Sequence, residues 1–350
     1  MKTAKILKIS ICFLLFWVSK PAQGFAQIPC KLDLIFRHKS IGIQSITFWN
    51  AKQEIVFQDL PYADSLRLEF NAHTDDLYTV FYLSSDKKYQ KQIWLEPGSI
   101  KLYLSIQNEK LSIDTAIGTN LYYQTLAFND AFALVKQDES KLLGFLTTAF
   151  NQYQKSPFST YIAGLLLSNF QNNKAEMKKL QTMMGMQSEV VKSSFLYPSF
   201  YNRIRSSIEV EKIDFKKIRF FNEKGKKVSV KRKKEPYLVL DFWFVNCPPC
   251  IQQHKAIKND FEAGQWPENI RWVGISTDKK IEKWQAYLSK SALPWENLLE
   301  PTASNLNLSK QLNLFAYPTY IVLNEKNNLV ATFNAYDQVK KFFKSKNIEN

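Results

Sequence analysis

The sequence predicts two parts, an N-terminal β-sandwich followed by helices and a C-terminal α/β domain built round a central sheet. Three patterns carry this reading. Short apolar runs, several alternating with polar positions, fill 31–115, as strands with one buried face require. Apolar residues then recur at helical spacing through 118–207. From about 213, solid apolar runs of strand length alternate with helical stretches, the order of an α/β layer fold.

The 350 residues exceed one typical domain. With 45% hydrophobic and 23% charged residues, a disordered chain is excluded. The chain has 26 Phe, 16 Tyr and 8 Trp against 10 Gly, which favours sheets with well-filled cores. Residues 1–26 read as an export signal, with Lys2, Lys5 and Lys8 before a short apolar run over 9–18 and small residues at Ala22, Gly24 and Ala26. Cleavage is expected near Ala26, and an uncleaved anchor is the alternative. The formal charge is +15, and the four lysines of 1–26, which hold no acid, leave +11 on the mature chain. Scattered lysines serve solubility. The run Lys231, Arg232, Lys233, Lys234 sits in an expected turn and carries no nucleic-acid motif.

Within 27–116, groups such as Leu32, Leu34 and Phe36, or Leu66, Leu68 and Phe70, mark strands, with Asn50, Pro61, Asn71 and Pro97–Gly98 as turns. Over 117–208 the spacing of Leu121, Phe128, Phe132 and Val135 begins a helical layer. Its last helix, 190–208, is expected to break near Pro198. The third unit, 209–350, should open with a hairpin of 217–221 and 226–230. Buried strands at 237–244 and 270–276, helices at 248–261, 280–289 and 304–312, strands at 319–323 and 329–333, and a terminal helix at 339–346 follow.

The chemistry concentrates in LDFWFVNCPPC at 240–250. A buried strand runs into a C-x-x-C pair at a helix start, where unpaired backbone N–H groups and the helix dipole stabilise a thiolate. The thiolate is the attacking species in disulfide exchange. Cys250, one turn on, can attack the resulting mixed disulfide and free the substrate. Pro248 and Pro249 suit a first helical turn and lie where a substrate would touch. Asp241, six residues before Cys247 among apolar neighbours, is a candidate to take the proton of Cys250. Pro318, before a predicted strand, invites a cis Tyr317–Pro318 bond, which would bring Tyr317 beside the cysteines and expose its side chain to partners.

On these residues 213–348 resembles the TlpA-like branch of the thioredoxin superfamily, which includes envelope thiol–disulfide oxidoreductases. The match lies in Asp241–Phe242–Trp243, Cys247–Pro248–Pro249–Cys250, the 272–276 strand followed by Asp278, and Tyr317–Pro318–Thr319. The resemblance implies Cys247 as nucleophile, Cys250 as resolving thiol, Pro318 as cis proline and Asp241 as buried acid. It implies no organic cofactor and no metal. The implied partners are disulfide-containing substrate proteins and a membrane or periplasmic electron donor. Residues 31–205 are similar, more weakly, to the β-plus-helix region that precedes such domains in exported bacterial proteins.

The chain departs from the branch at Asn246, where a Trp is common, at Gln253, where a Glu is common, and at Lys255, where a Pro is common. Gln253 cannot exchange a proton. A zinc site needs about four ligands, and no second C-x-x-C exists. Once Cys12 leaves with the signal, Cys30 is an odd thiol beside the close pair. His254, between Gln253 and Lys255, reads as part of a solvated helix face, and His38 and His73 as structural. The resulting expectation is an exported disulfide reductase of the periplasm or cell envelope, free or membrane-tethered. The alternative is an envelope binding protein with a redox-idle scaffold. A thiol peroxidase lacks the Thr and Arg it needs beside Cys247.

Overall fold

The computed structural model describes residues 27–37, 43–51, 54–72, 74–232, 235–301 and 307–346. The expected export segment, His38, His73, Lys233, Lys234 and the start of the helix expected over 304–312 lie outside these residues.

The sandwich comprises β1 (Ile28–Phe36), β2 (Ile43–Trp49), β3 (Ile55–Pro61), β4 (Ser65–Ala72), β5 (Asp76–Ser84), β6 (Lys88–Leu95), β7 (Ser99–Gln107) and β8 (Lys110–Ile117). Two four-stranded sheets run in the orders β4-β1-β7-β8 and β3-β2-β5-β6. Leu32, Leu34 and Leu102 of the first sheet and Phe48, Val80 and Tyr82 of the second join one apolar cluster, the buried layer such packing requires. The pairing is not wholly antiparallel. β1 and β7 run parallel, with Leu32 opposite Ile100. The chain reaches β7 from β6 of the other sheet, past Pro97 and Gly98, so no hairpin dictates an antiparallel partner.

Glu96 fastens this sandwich to α1 (Asn120–Val135). Its carboxylate accepts from the Thr119 hydroxyl at 2.6 Å and from the Asn120 N–H at 2.6 Å, while Thr119 accepts from the Tyr122 N–H. First-turn N–H groups have no partner inside the helix, so a carboxylate there both bonds them and meets the positive end of the dipole. Next come α2 (Glu139–Gln152), α3 (Phe158–Phe170), α4 (Lys174–Gly185), α5 (Glu189–Lys192) and α6 (Leu196–Glu209). Phe158, Ile162, Leu166 and Phe170 of α3 lie in the middle of their apolar cluster, which Trp94 of β6 also joins. Pro198 does not break the last helix. The chain breaks earlier, between α5 and α6, and Pro198 sits in the first turn of α6, where its missing N–H has no intrahelical acceptor to lose.

The C-terminal part contains β9 (Phe220–Phe221), β10 (Lys227–Val228), β11 (Tyr237–Trp243), α7 (Pro248–Glu262), β12 (Ile270–Ser276), α8 (Ile281–Ser291), β13 (Glu296–Leu299), α9 (Leu308–Gln311), β14 (Thr319–Asn324), β15 (Leu329–Phe333) and α10 (Tyr336–Ser345). One seven-stranded sheet runs β10-β9-β13-β12-β11-β14-β15. β11 is central, parallel to β12 and antiparallel to β14. β13 was not expected. It is four residues long and carries a buried Asn297 where a core strand normally shows an apolar residue. No helix among the described residues is long and apolar enough to cross a membrane.

Polar bonds join the helical layer to this sheet. Arg203 of α6 is buried and donates from Nη1 to the Leu312 carbonyl at 2.9 Å. Burial pulls its guanidinium down to about 10. Asn172, just past α3, donates to the Thr332 carbonyl at 2.9 Å and accepts from the Thr332 N–H at 2.7 Å, completing the outer side of edge strand β15 at that residue. Gln171 donates to Asn334 Oδ1 at 3.1 Å. Asn334 in turn donates to the Pro318 carbonyl at 3.2 Å and to Thr319 Oγ1 at 3.1 Å. Substituting Asn172→Ala leaves both backbone groups of the buried Thr332 without that partner. We expect it to lower the unfolding free energy by about 1–2 kcal/mol, measured by urea denaturation.

Candidate active site

Strand β11 delivers the site. Its residues Leu238 to Trp243 are all buried, as a central strand covered on both faces demands. The strand end and the segment that leaves it are held by the residues just after β12. The Thr277 N–H donates to the Trp243 carbonyl at 2.9 Å, and the Val245 N–H donates to Asp278 Oδ2 at 2.9 Å. The Ser276 hydroxyl donates to the same Asp278 oxygen at 2.7 Å. Asp278 therefore positions the chain just ahead of the first cysteine.

Cys247 is the N-cap of α7, and Pro248 and Pro249 occupy its first two helical positions. Cys247 and Cys250 are joined in a disulfide, with Cα atoms 5.3 Å apart. The Cys250 N–H points at Cys247 Sγ, 3.3 Å away. That N–H belongs to the first turn of the helix, so it remains to stabilise a thiolate once the pair is reduced. Cys247 is 3% exposed and Cys250 is fully buried, within an apolar cluster with Trp243, Trp284 and Leu299. Asn246, Pro248 and Pro249 form the exposed rim.

The Tyr317–Pro318 peptide bond is cis. Tyr317 is half-buried, not open to solvent as expected. Its ring meets Phe244 edge-on at 5.4 Å, its side chain bonds Thr277, and burial pushes its hydroxyl up. Phe315 and Ala316 are the exposed residues of that loop, because Tyr317 turns in to cover the strand end.

Asp241 is fully buried, and its Oδ2 lies 3.0 Å from His254 Nε2. This corrects the reading of His254 as solvated: it is 1% exposed. The cause is helical geometry. Cys250, His254 and Ile257 fall on one stripe of α7 and are its buried residues, while Gln252, Lys255 and Ala256 face solvent. The i, i+4, i+7 spacing carried this signal, and the polar neighbours masked it. Trp243 and Trp295 pack edge-on to the imidazole, with ring centroids 4.8 and 5.6 Å away. Gln253, at the position of a common Glu, accepts from the Tyr320 hydroxyl at 3.0 Å and the Tyr336 N–H at 2.7 Å. An amide oxygen fills that bridging role without a proton to exchange.

Residues 235–330 match the family model described as Thioredoxin-like. This stretch is a thioredoxin-like domain. No curated protein matches the chain. Among solved structures, a thiol-disulfide oxidoreductase from Bacteroides fragilis is 26% identical, covering 37% of this chain and 95% of its own, with a TM-score of 0.32. The thioredoxin domain of a thiol-disulfide oxidoreductase from Bacteroides vulgatus is 23% identical over 36% of this chain and 91% of its own, TM-score 0.31. StoA from Bacillus subtilis is 20% identical over 35% and 93%, TM-score 0.30.

A second buried carboxylate follows β13, where the Glu300 N–H donates to the Ser276 carbonyl at 2.9 Å. Glu300, 3% exposed, accepts from the Ser309 N–H at 2.9 Å and from the Ser309 hydroxyl. Burial raises its carboxyl above the usual range, against the pull of those bonds. A carboxyl raised on folding stabilises the fold below its unfolded value and loses that contribution as pH climbs through its folded value. We therefore expect Glu300→Gln to gain stability relative to the parent as pH rises from acid towards neutral, with the difference shrinking at acid pH. Denaturation midpoints in a pH series check this.

Proposed function

We propose that this protein is an exported thiol–disulfide oxidoreductase that exchanges disulfides with envelope proteins, working as a reductase. The observation that carries the reading is Cys247 bonded to Cys250 at the N-terminus of α7, inside a domain of matching family. In the reduced state the Cys247 thiolate attacks a substrate disulfide and forms a mixed disulfide. Cys250 loses its proton to Asp241 and attacks Cys247 Sγ, and the substrate leaves as a thiol. Pro318 backs the pair from the facing loop, while Tyr317, Pro248 and Pro249 meet the substrate, with the exposed Phe315 extending that surface.

The chain itself needs no organic cofactor or metal for this cycle. Electrons come from a membrane or periplasmic dithiol donor, and the substrates are proteins with accessible disulfides. The TlpA-like resemblance and the signal-like segment 1–26 support an envelope location. Within this reading 27–116 is the sandwich unit, 117–208 the helical segment and 209–350 the redox unit.

The test is an equilibrium redox titration of the mature chain against dithiothreitol or glutathione, read by thiol trapping. A reversible two-electron transition near about −270 mV is expected for a reductase, whereas about −120 mV marks an oxidant. A pair that never cycles refutes the reading and favours a binding role. Cys250→Ser should accumulate mixed disulfides with envelope proteins on non-reducing gels, and Cys247→Ser should form none.

A further inference from the structure

Beneath the cysteine pair lies an ionisable group with no part in the reaction so far. The His254 imidazole and the Asp241 carboxylate meet at 3.0 Å with neither reached by solvent. No described residue partners Asp241 Oδ1 or His254 Nδ1. A buried carboxylate is expensive without a hydrogen-bond donor, and around Asp241 the imidazole is the donor. In the sheet, Asp241 stands between Gly274 of β12 and Tyr320 of β14. The Tyr320 hydroxyl is spent on Gln253. Gly274 offers no side chain, and a Cβ there would stand 2.4 Å from Asn297 Oδ1 and 3.2 Å from the indole nitrogens of Trp243 and Trp295. His254 also follows Cys250 by four residues on the same helix face, a separation of about 5–6 Å between Cβ atoms.

We propose that His254 is a positioning residue for resolution of the mixed disulfide: its ring holds Asp241 Oδ2 and leaves Oδ1 free to receive the Cys250 proton. The inference deepens the redox reading and rests on it. In the step, Cys250 Sγ–H gives its proton to Asp241, and the Cys250 thiolate attacks Cys247 Sγ. The Cys247–Cys250 bond forms as the bond from Cys247 to the substrate sulfur breaks. The cysteine pair loses two electrons and the substrate disulfide gains them. The departing thiolate takes up a proton from solvent, and Asp241 returns its own to solvent.

Among the described residues, the other titratable groups facing the pair are Cys250 on α7, Tyr287 on α8 and Tyr320 on β14. Burial pushes both tyrosines up, so they stay neutral. From β12 comes Gly274, from β13 Asn297 and from the residue before β13 Trp295, none of which titrates.

The experiment oxidises the reduced full-length mature protein with oxidised glutathione in stopped flow, across a pH series, for the parent, His254→Gln, Asp241→Asn and the double variant. The expected result is a resolving step at least about tenfold slower in His254→Gln near neutral pH, with a displaced pH–rate curve. The double variant should be no slower than Asp241→Asn. Superimposed pH–rate curves for His254→Gln and the parent overturn the inference. A parent that never forms the Cys247–Cys250 bond instead sinks the redox reading beneath it, so the two failures are distinct.

Should His254→Gln not fold, the unaltered chain still answers. It holds three histidines, so His38→Gln and His73→Gln assign the His254 imidazole resonance by elimination. That resonance should move when the disulfide is reduced, and its indifference to redox state overturns the inference.

Discussion

The buried stripe of α7 is the constraint on which the site depends. Cys250, His254 and Ile257 press the helix against the central sheet, and that contact fixes both the rotation and the entry point of the helix. With the rotation set, Cys247 can only stand at the N-cap, where its sulfur meets the Cys250 N–H. The strand end and Asp278 then hold the approach from the other side. The Cys247 sulfur is thus located by packing several residues away as much as by its own neighbours. Its polarity comes from the backbone, which is why so little charged side-chain machinery surrounds it.

Much of this architecture was legible from the sequence. The 270–276 and 319–323 strands follow from mostly apolar runs, as expected where both faces of a sheet are covered. The cysteine pair announced itself by position, at a strand-to-helix junction. What the sequence hid was hidden for physical reasons. β13 is too short for a period to emerge, and its buried Asn297 breaks the apolar signal. His254 looked solvated because its sequence neighbours are polar, although the helix turns those neighbours away from it. Tyr317 looked exposed because it sits in a loop, yet its ring finds Phe244.

Other contacts left no local trace at all. Gln171 and Asn334 are 163 residues apart, and their bond reaches the Pro318 carbonyl only through the fold. Arg203 reads in sequence as an ordinary helix-surface cation, and only the neighbouring loop reveals that its guanidinium serves the Leu312 carbonyl. Such bonds are directional, so they orient the helical layer as well as holding it. The layer consequently bears on the loop that faces the cysteines without supplying a residue to the chemistry.

The outer margin of β15 has a consequence for the behaviour of shortened chains. The last strand of any sheet presents unpaired backbone groups that invite another strand. Here the margin is occupied at both ends: the Leu329 N–H donates to the Glu211 carbonyl and the Ile213 N–H to the Asn327 carbonyl at one, and Asn172 holds Thr332 at the other. Residues upstream of the sheet therefore occupy backbone groups of β15 that another strand could otherwise pair with. A fragment of 209–350 would keep the Cys247–Cys250 pair and yet bare the backbone of Thr332 on the outer margin of β15.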